Sequence, residues 1–325
     1  MINPVLVEVE RSGFVESRHR GVAVGLAVDG TVAVRAGDPE VPVFPRSANK
    51  PMQAAAMLRC GLDLDGELLA LAAGSHSGED FHVEGVEKIL ASAGLGVADL
   101  RCPESWPLDT VKQQDVARTG GASRVRMNCS GKHAAMLATC VAAGWPTDSY
   151  LDPGHPLQVA IRETVERLSG EEVTAVGVDG CGAPLFALSP VGVARAFRAL
   201  VLAGPGTPER CVADAMRAHP QWTSGTRREE RRLMEAVPGL MVKCGAEGVD
   251  AFALADGRAG AVKVDDGAMR ARTPATVALL RALGVPDGDG EVDEAALEEL
   301  STIPVRGGGA VVGAIRPTPG LFTGN

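Results

Sequence analysis

No uncharged apolar run in this sequence is long enough to cross a bilayer. The longest, such as residues 134–145, falls short of the roughly 20 residues that a membrane-spanning helix requires. A basic leader is also missing. The chain opens Met-Ile-Asn-Pro-Val-Leu-Val-Glu, with an acid at Glu8, so no secretory signal is expected and a cytoplasmic location is the expectation that follows. Positive charge is in deficit: 32 Lys and Arg stand against 41 Asp and Glu, a net charge of −9 with a pI near 5.3. Such a chain repels a polyanion at neutral pH, which argues against nucleic acid as a partner. No two cysteines stand in a CxxC spacing, and the seven present (60, 102, 129, 140, 181, 211 and 244) are odd in number and widely scattered. They read as reduced thiols, most of them small core residues.

Lysine and asparagine are scarce as well. Only six of the 32 basic residues are lysine (50, 88, 112, 132, 243 and 263), so arginine serves nearly every generic surface charge. A lysine here marks a position to inspect, because its amine can lose a proton where a guanidinium cannot. Asparagine occurs only at 3, 49, 128 and 325, and two of these fall beside lysines: Asn49 adjoins Lys50, and Asn128 precedes Lys132 by four residues. What is abundant is apolar residues, at 45% of 325, enough for one large core or two modest ones and too many for a disordered chain.

Apolar runs at 22–28 and 31–36 flank Asp29-Gly30, a two-residue hairpin signal. Helical patterns follow at 51–60, 66–73, 82–93, 108–118, 132–143, 155–168, 191–202, 207–218 and 228–236, separated by Gly and Pro. Strands are expected near 173–178, 239–243, 250–255 and 260–264, then helices at 274–284 and 293–300 and a terminal strand at 310–315. Strands at both ends around a helical middle predict an α+β fold, with one sheet assembled from distant segments and a single domain over 1–325. The charged run 227–232 reads as a solvated helix face, and Gly307-Gly308-Gly309 as a turn into the last strand.

Five short segments carry the chemistry. Ser47-Ala48-Asn49-Lys50 is a Ser-x-x-Lys; if a helix starts near Ser47, the amine returns over the hydroxyl and the helix dipole favours a neutral amine, a workable nucleophile and base. On spacing alone it is equally a capping serine beside a surface lysine, and Pro51 biases Lys50 away from the α region. Gly74-Ser75-His76-Ser77-Gly78-Glu79 is either a ligand loop or a plain cap for the next helix. Asn128-Cys129-Ser130-Gly131-Lys132-His133 opens a helix, where a thiol is acidified and a lysine opposes the dipole. Asp179-Gly180-Cys181-Gly182 lies on a turn after a strand, and with Cys129 and Lys132 it offers two thiolates and an amine to a soft cation such as zinc, although that spacing argues only weakly for a metal. Lys263, inside Val-Lys-Val-Asp-Asp-Gly, is either a buried amine or a lysine on the solvent face of an edge strand.

Taken together, Arg-Ser-Ala-Asn-Lys-Pro (46–51), Ser-His-Ser-Gly-Glu (75–79), Asn-Cys-Ser-Gly-Lys-His (128–133), Asp-Gly-Cys-Gly-Ala-Pro (179–184) and Val-Lys-Val-Asp-Asp-Gly (262–267) resemble the asparaginase II family, the Rhizobium-type L-asparaginases. The likeness runs in one order over nearly the whole chain. It implies a fold related to serine β-lactamases, penicillin-binding proteins and β-lactamase-like glutaminases, and hydrolysis of L-asparagine to L-aspartate and ammonia. Carried over by position, it implies two Ser-Lys pairs, Ser47 with Lys50 and Ser75 with Lys263, and a zinc-like site of Cys129, Lys132 and Cys181. Arg46, Asp179 and His133 are the expected substrate contacts, zinc is a supporting cofactor, and a homodimer is expected. Gly78 stands where some relatives have serine, and Cys244 where others have a second glycine. Within the reading, Ser47 attacks with Lys50 as base, and Ser75 with Lys263 relays the proton. The alternatives are a glutaminase or a β-lactamase-like acyl hydrolase and, in another class, a non-catalytic metal-dependent amino-acid-binding protein.

Overall fold

The two ends of the chain meet side by side in one sheet. The computed structural model describes residues 2–285 and 292–322. Its strands are β1 (Val5–Arg11), β2 (Phe14–Leu26), β3 (Val32–Ala36), β4 (Val176–Val178), β5 (Pro184–Phe186), β6 (Met241–Gly245), β7 (Val249–Ala253), β8 (Ala259–Val264), β9 (Ile303–Gly307) and β10 (Ala310–Pro317). The helices are α1 (Lys50–Arg59), α2 (Gly66–Ala72), α3 (Asp80–Ser92), α4 (Thr110–Thr119), α5 (Ser130–Ala143), α6 (Pro156–Ser169), α7 (Pro190–Leu202), α8 (Pro208–Ala218), α9 (Pro220–Thr223), α10 (Glu229–Ala236), α11 (Met269–Ala282) and α12 (Glu294–Ser301). The main sheet runs β6-β7-β8-β2-β1-β10-β9 with β3 also on β2, antiparallel at every pairing. Val7 faces Pro317 and Arg11 faces Gly313, so strands from the two ends of the chain pair inside the sheet.

Alternation along the strands divides the interior in two. Ala251, Ala253, Ala259 and Ala261 face the helical middle of the chain, whose core includes Met52, Leu71, Leu137 and Phe197. Their neighbours Phe252, Val262 and Val264 face the opposite side, against Ala271, Val277 and Leu280 of α11. The residues facing the helical middle are small, which lets α7 lie close to the sheet.

The helices begin and end within a few residues of where the periodicity puts them, except α9, a single turn the periodicity does not announce, and α11, which starts earlier and carries Pro274 within it. β1, β5 and β9 are short or polar-alternating strands that no single apolar run announces; they form because a neighbour offers a ladder. The charged run 227–232 corrects the reading of a solvated face. Glu230 is 1% exposed, and a buried arginine, Arg272, reaches it, Asp250 and Glu229 together. Arg272 Nη1 lies 2.6 Å from Asp250 and Arg228 3.3 Å from Glu230, so this helix turns one of its acids inward to balance buried guanidinium charge.

Candidate functional site

The site is assembled from four segments, residues 46–50, 74–79, 128–133 and 179–184, the first of which packs on the edge strand β6. Residues Arg46–Asn49 form one 3-10 turn that runs directly into α1, so Ser47 sits one turn before the helix and Lys50 opens it. Lys50 adopts the α conformation despite Pro51 after it (φ −60°, ψ −37°), and Pro51 takes its place in the first turn, where its missing N–H costs nothing. Arg46, by contrast, has φ +53°, a left-handed conformation rare for a side chain of this size, held here because β6 presses on the turn. Gly245 is what permits that approach: a Cβ there would collide with the carbonyl of Pro45.

Lys50 is 1% exposed and its amine points at the next loop, donating to Gly74 O at 2.6 Å and to Ser75 Oγ at 2.9 Å. Burial lowers its proton affinity, and the nearby Lys243 and Lys132 lower it further against the opposing Cys129 and Cys181 sulfurs. The serine that Lys50 hydrogen-bonds is thus Ser75; Ser47, three residues away on the same turn, is half-buried. The Ser75 loop is strapped from two sides. Ser75 N–H donates to Thr223 O at 2.8 Å, while the Glu79 carboxylate accepts from Thr226 N–H at 2.9 Å and from the hydroxyls of Thr226 and Ser77 at 2.6 and 2.7 Å.

Lys263 and Ser75 are not brought together. The Lys263 amine donates to the backbone carbonyls of Glu247 and Val264, and among the described residues no hydrogen bond joins it to Ser75. It lines a separate cavity of about 810 Å³ with Val22, Val43 and Asp265, in which neither serine takes part. The reason is strand position: β8 is two strands in from β6, which at the usual spacing is about 10 Å from the edge that touches the Arg46 turn. The lysine on that edge is Lys243, 1% exposed, whose charge acts on Lys50. Lys243 is one of the six lysines and lies in none of the five motifs. The available signal was Lys-Cys-Gly within an apolar strand, a lysine two residues before a glycine that permits close approach.

Cys129, Lys132 and Cys181 do come together. Lys132 Nζ lies 3.2 Å from Cys181 Sγ, deep in the protein, and the Cys129 thiol points to Asn128 Oδ1 at 3.3 Å. The neighbouring Cys129 thiol holds Cys181 far below the ordinary thiol range despite burial, with Lys132 and His133 adding to the effect. Cys181 and burial together push the Cys129 thiol up. Burial works against the charge on Lys132, yet the Cys181 and Cys129 sulfurs and Asp179 raise its amine above its ordinary value. Arg46 Nε donates to Asp179 Oδ1 at 2.8 Å, which ties the Ser47 turn to the Cys181 turn. His133 stands behind the sulfurs: its Nδ1 is 2.7 Å from the hydroxyl of Tyr150, the only tyrosine in the chain, and its ring acts on Cys181. Tyr150 is a positioning element that sequence reading missed, since a lone buried tyrosine has no motif.

Among the described residues no three His, Cys, Asp or Glu side chains come together as a metal-ligand set. A cation here therefore needs the Lys132 amine as a third donor. The two sulfurs and that amine fit a soft ion such as zinc, provided the protons on the thiols and on Lys132 are displaced. No helix of the described residues is long and apolar enough to cross a membrane.

The pattern of the L-asparaginase II family matches residues 7–317. No curated protein matches the chain. Among solved structures, Mglu in its native form is similar with 14% identity and a TM-score of 0.45 over 83% of this chain, which spans 63% of the length of Mglu. A putative β-lactamase from Bacteroides dorei is similar at 14% identity and a TM-score of 0.41, covering 75% of this chain and 84% of that one. A β-lactamase from Mycobacterium bovis shows 16% identity and a TM-score of 0.42, with 81% and 94% covered.

Proposed function

The chain belongs to the L-asparaginase II family, and from that premise we propose that it hydrolyses the side-chain amide of L-asparagine to L-aspartate and ammonia. The observation that carries the reading is the buried Lys50 amine, one turn from Ser47 and in hydrogen-bond contact with Ser75. Ser47, the less buried of the two serines, attacks the amide carbon as Lys50 takes its proton. The tetrahedral adduct collapses with cleavage of the C–N bond, and the proton passes from Lys50 through Ser75 to the departing nitrogen, so that ammonia leaves neutral. Water then cleaves the aspartyl ester by the same groups in reverse order. Arg46 and Asp179, one cation and one anion held 2.8 Å apart, offer the complementary charges that the α-carboxylate and α-ammonium of an amino acid require.

In this reading Lys243 replaces Lys263. Its charge beside Lys50 opposes protonation of the base, which is the electrostatic service a second lysine renders. Cys129, Lys132 and Cys181 would hold zinc, which when bound supplies a fixed positive charge near the substrate. A second assignment rests on the Lys50–Ser75 bond at 2.9 Å: Ser75 attacks and Ser47 relays. Trapping the ester by acid quench and mapping it by mass spectrometry decides between the serines.

Ammonia release from asparagine and from glutamine tests the substrate. Asparagine is expected to be preferred, although one methylene is worth only about 1–3 kcal/mol, so a slow glutamine reaction accompanies it. Preference for glutamine, or turnover of neither, sinks the assignment. Metal analysis of the purified protein is expected to find one zinc per chain, and Cys181→Ser is expected to lose it and to raise KM more than it lowers kcat. Activity indifferent to chelator and to added zinc, in protein free of metal, would remove zinc from the reading.

A further inference from the structure

His76 follows Ser75 directly, is fully buried, and makes hydrogen bonds that admit only one protonation state. Its Nε2 lies 2.8 Å from Ser130 Oγ, and the Ser130 hydroxyl spends its single proton on Val125 O at 2.7 Å. The serine oxygen is therefore an acceptor toward His76, and Nε2 carries the hydrogen. On the other side of the ring, Gly78 N–H donates to Nδ1 at 3.1 Å, so Nδ1 is bare. A proton on Nδ1 would set two N–H groups against each other. The main chain continues the same link, since His76 N–H donates to Asn128 O at 3.1 Å. The groups that face the ring are His82, stacked at 5.1 Å, and Lys50; burial first and then these two hold the imidazole well below its ordinary value.

These bonds join two things the reaction needs in register. One partner is the loop that presents Ser75 to Lys50; the other is segment 125–130, which leads into α5 with Cys129 and Lys132 at its start. We propose that His76 is a positioning residue, a neutral Nε2–H clamp that fixes the Ser75 hydroxyl on Lys50 by locking its loop to the start of α5. The consequence for turnover rests on the asparaginase reading; the clamp itself does not.

The test has two arms. In ¹⁵N-histidine-labelled full-length protein, long-range proton–nitrogen correlation is expected to show His76, identified by its loss in His76→Gln, as the Nε2–H tautomer at neutral pH. In kinetics, His76→Ala is expected to lower kcat about tenfold to a hundredfold with KM within about threefold, the signature of misplacing a reacting group by a fraction of an ångström to an ångström. His76→Gln, which keeps a donor within reach of Ser130, is expected to recover part of that loss, and Ser130→Ala is expected to add nothing to His76→Ala because both remove the same bond. An Nδ1–H tautomer overturns the clamp. So does folded His76→Ala with wild-type kcat and KM, or a Ser130→Ala effect that adds in full. Should His76→Ala fail to fold, His76→Gln and Ser130→Ala carry the kinetic arm. If the wild-type protein releases no ammonia from asparagine, the asparaginase reading is what fails, and the tautomer decides the clamp.

Discussion

Lys50→Arg is expected to lower kcat on asparagine by about 10²- to 10⁴-fold, the range that general-base catalysis spans, and to be nearly as inactive as Lys50→Ala. The guanidinium keeps the positive charge and can reach for Gly74 O and Ser75 Oγ, but it does not give up a proton at any working pH. The same argument sets the pH profile. Burial depresses the Lys50 amine, so the free base forms at lower pH than in an ordinary lysine; activity appears as that proton leaves, and kcat/KM rises from neutral pH into the alkaline range. Because Ser47 and Ser75 carry no charge at neutral pH, no other group in the proposed proton path reverses this sign. Steady-state kinetics of folded Lys50→Arg, with a profile from pH 5 to 10 for the wild type, checks both statements. Robust turnover in Lys50→Arg, or a wild-type profile that peaks below pH 6, would show that some other group is the base.

The second large effect separates two lysines that the sequence alone cannot rank. Lys243→Met is expected to cost at least about a hundredfold in kcat/KM, because it removes the buried cation that opposes protonation of Lys50. Lys263→Met is expected to stay within about threefold of wild type, since among the described residues its amine donates to the Glu247 and Val264 carbonyls beside a different cavity. Circular dichroism and thermal melting distinguish a lost charge from a lost fold in each. A hundredfold loss in well-folded Lys263→Met, with Lys243→Met near wild type, would return the relay to β8 and overturn the reading of the site given by strand position.

Local physics was legible in the sequence. Periodicity and Gly/Pro punctuation placed the helices, because an amphipathic helix must repeat its apolar face whatever it packs against. The five motifs placed Ser47, Lys50, Ser75, Cys129, Lys132 and Cys181 correctly at turns and helix starts, since caps, turns and short polar loops are chosen by residues within a few positions of one another. The composition announced which amines to inspect. None of this required knowledge of distant contacts.

What only the tertiary structure decided is which of these groups meet. Ser-x-x-Lys spacing suggests that Lys50 serves Ser47, but the direction of its amine is set by Gly74 and Ser75, 24 and 25 residues away. Lys263 and Lys243 both sit in apolar strands, and the order β6-β7-β8 put Lys243 on the edge that touches the Arg46 turn. Glu230 reads as a surface acid until Arg272 and Asp250 are brought to it from α11 and β7. In each case the deciding partner lies far along the chain, and a strand's place in a sheet follows from hydrogen bonds and burial shared with other strands, which one segment of sequence does not contain.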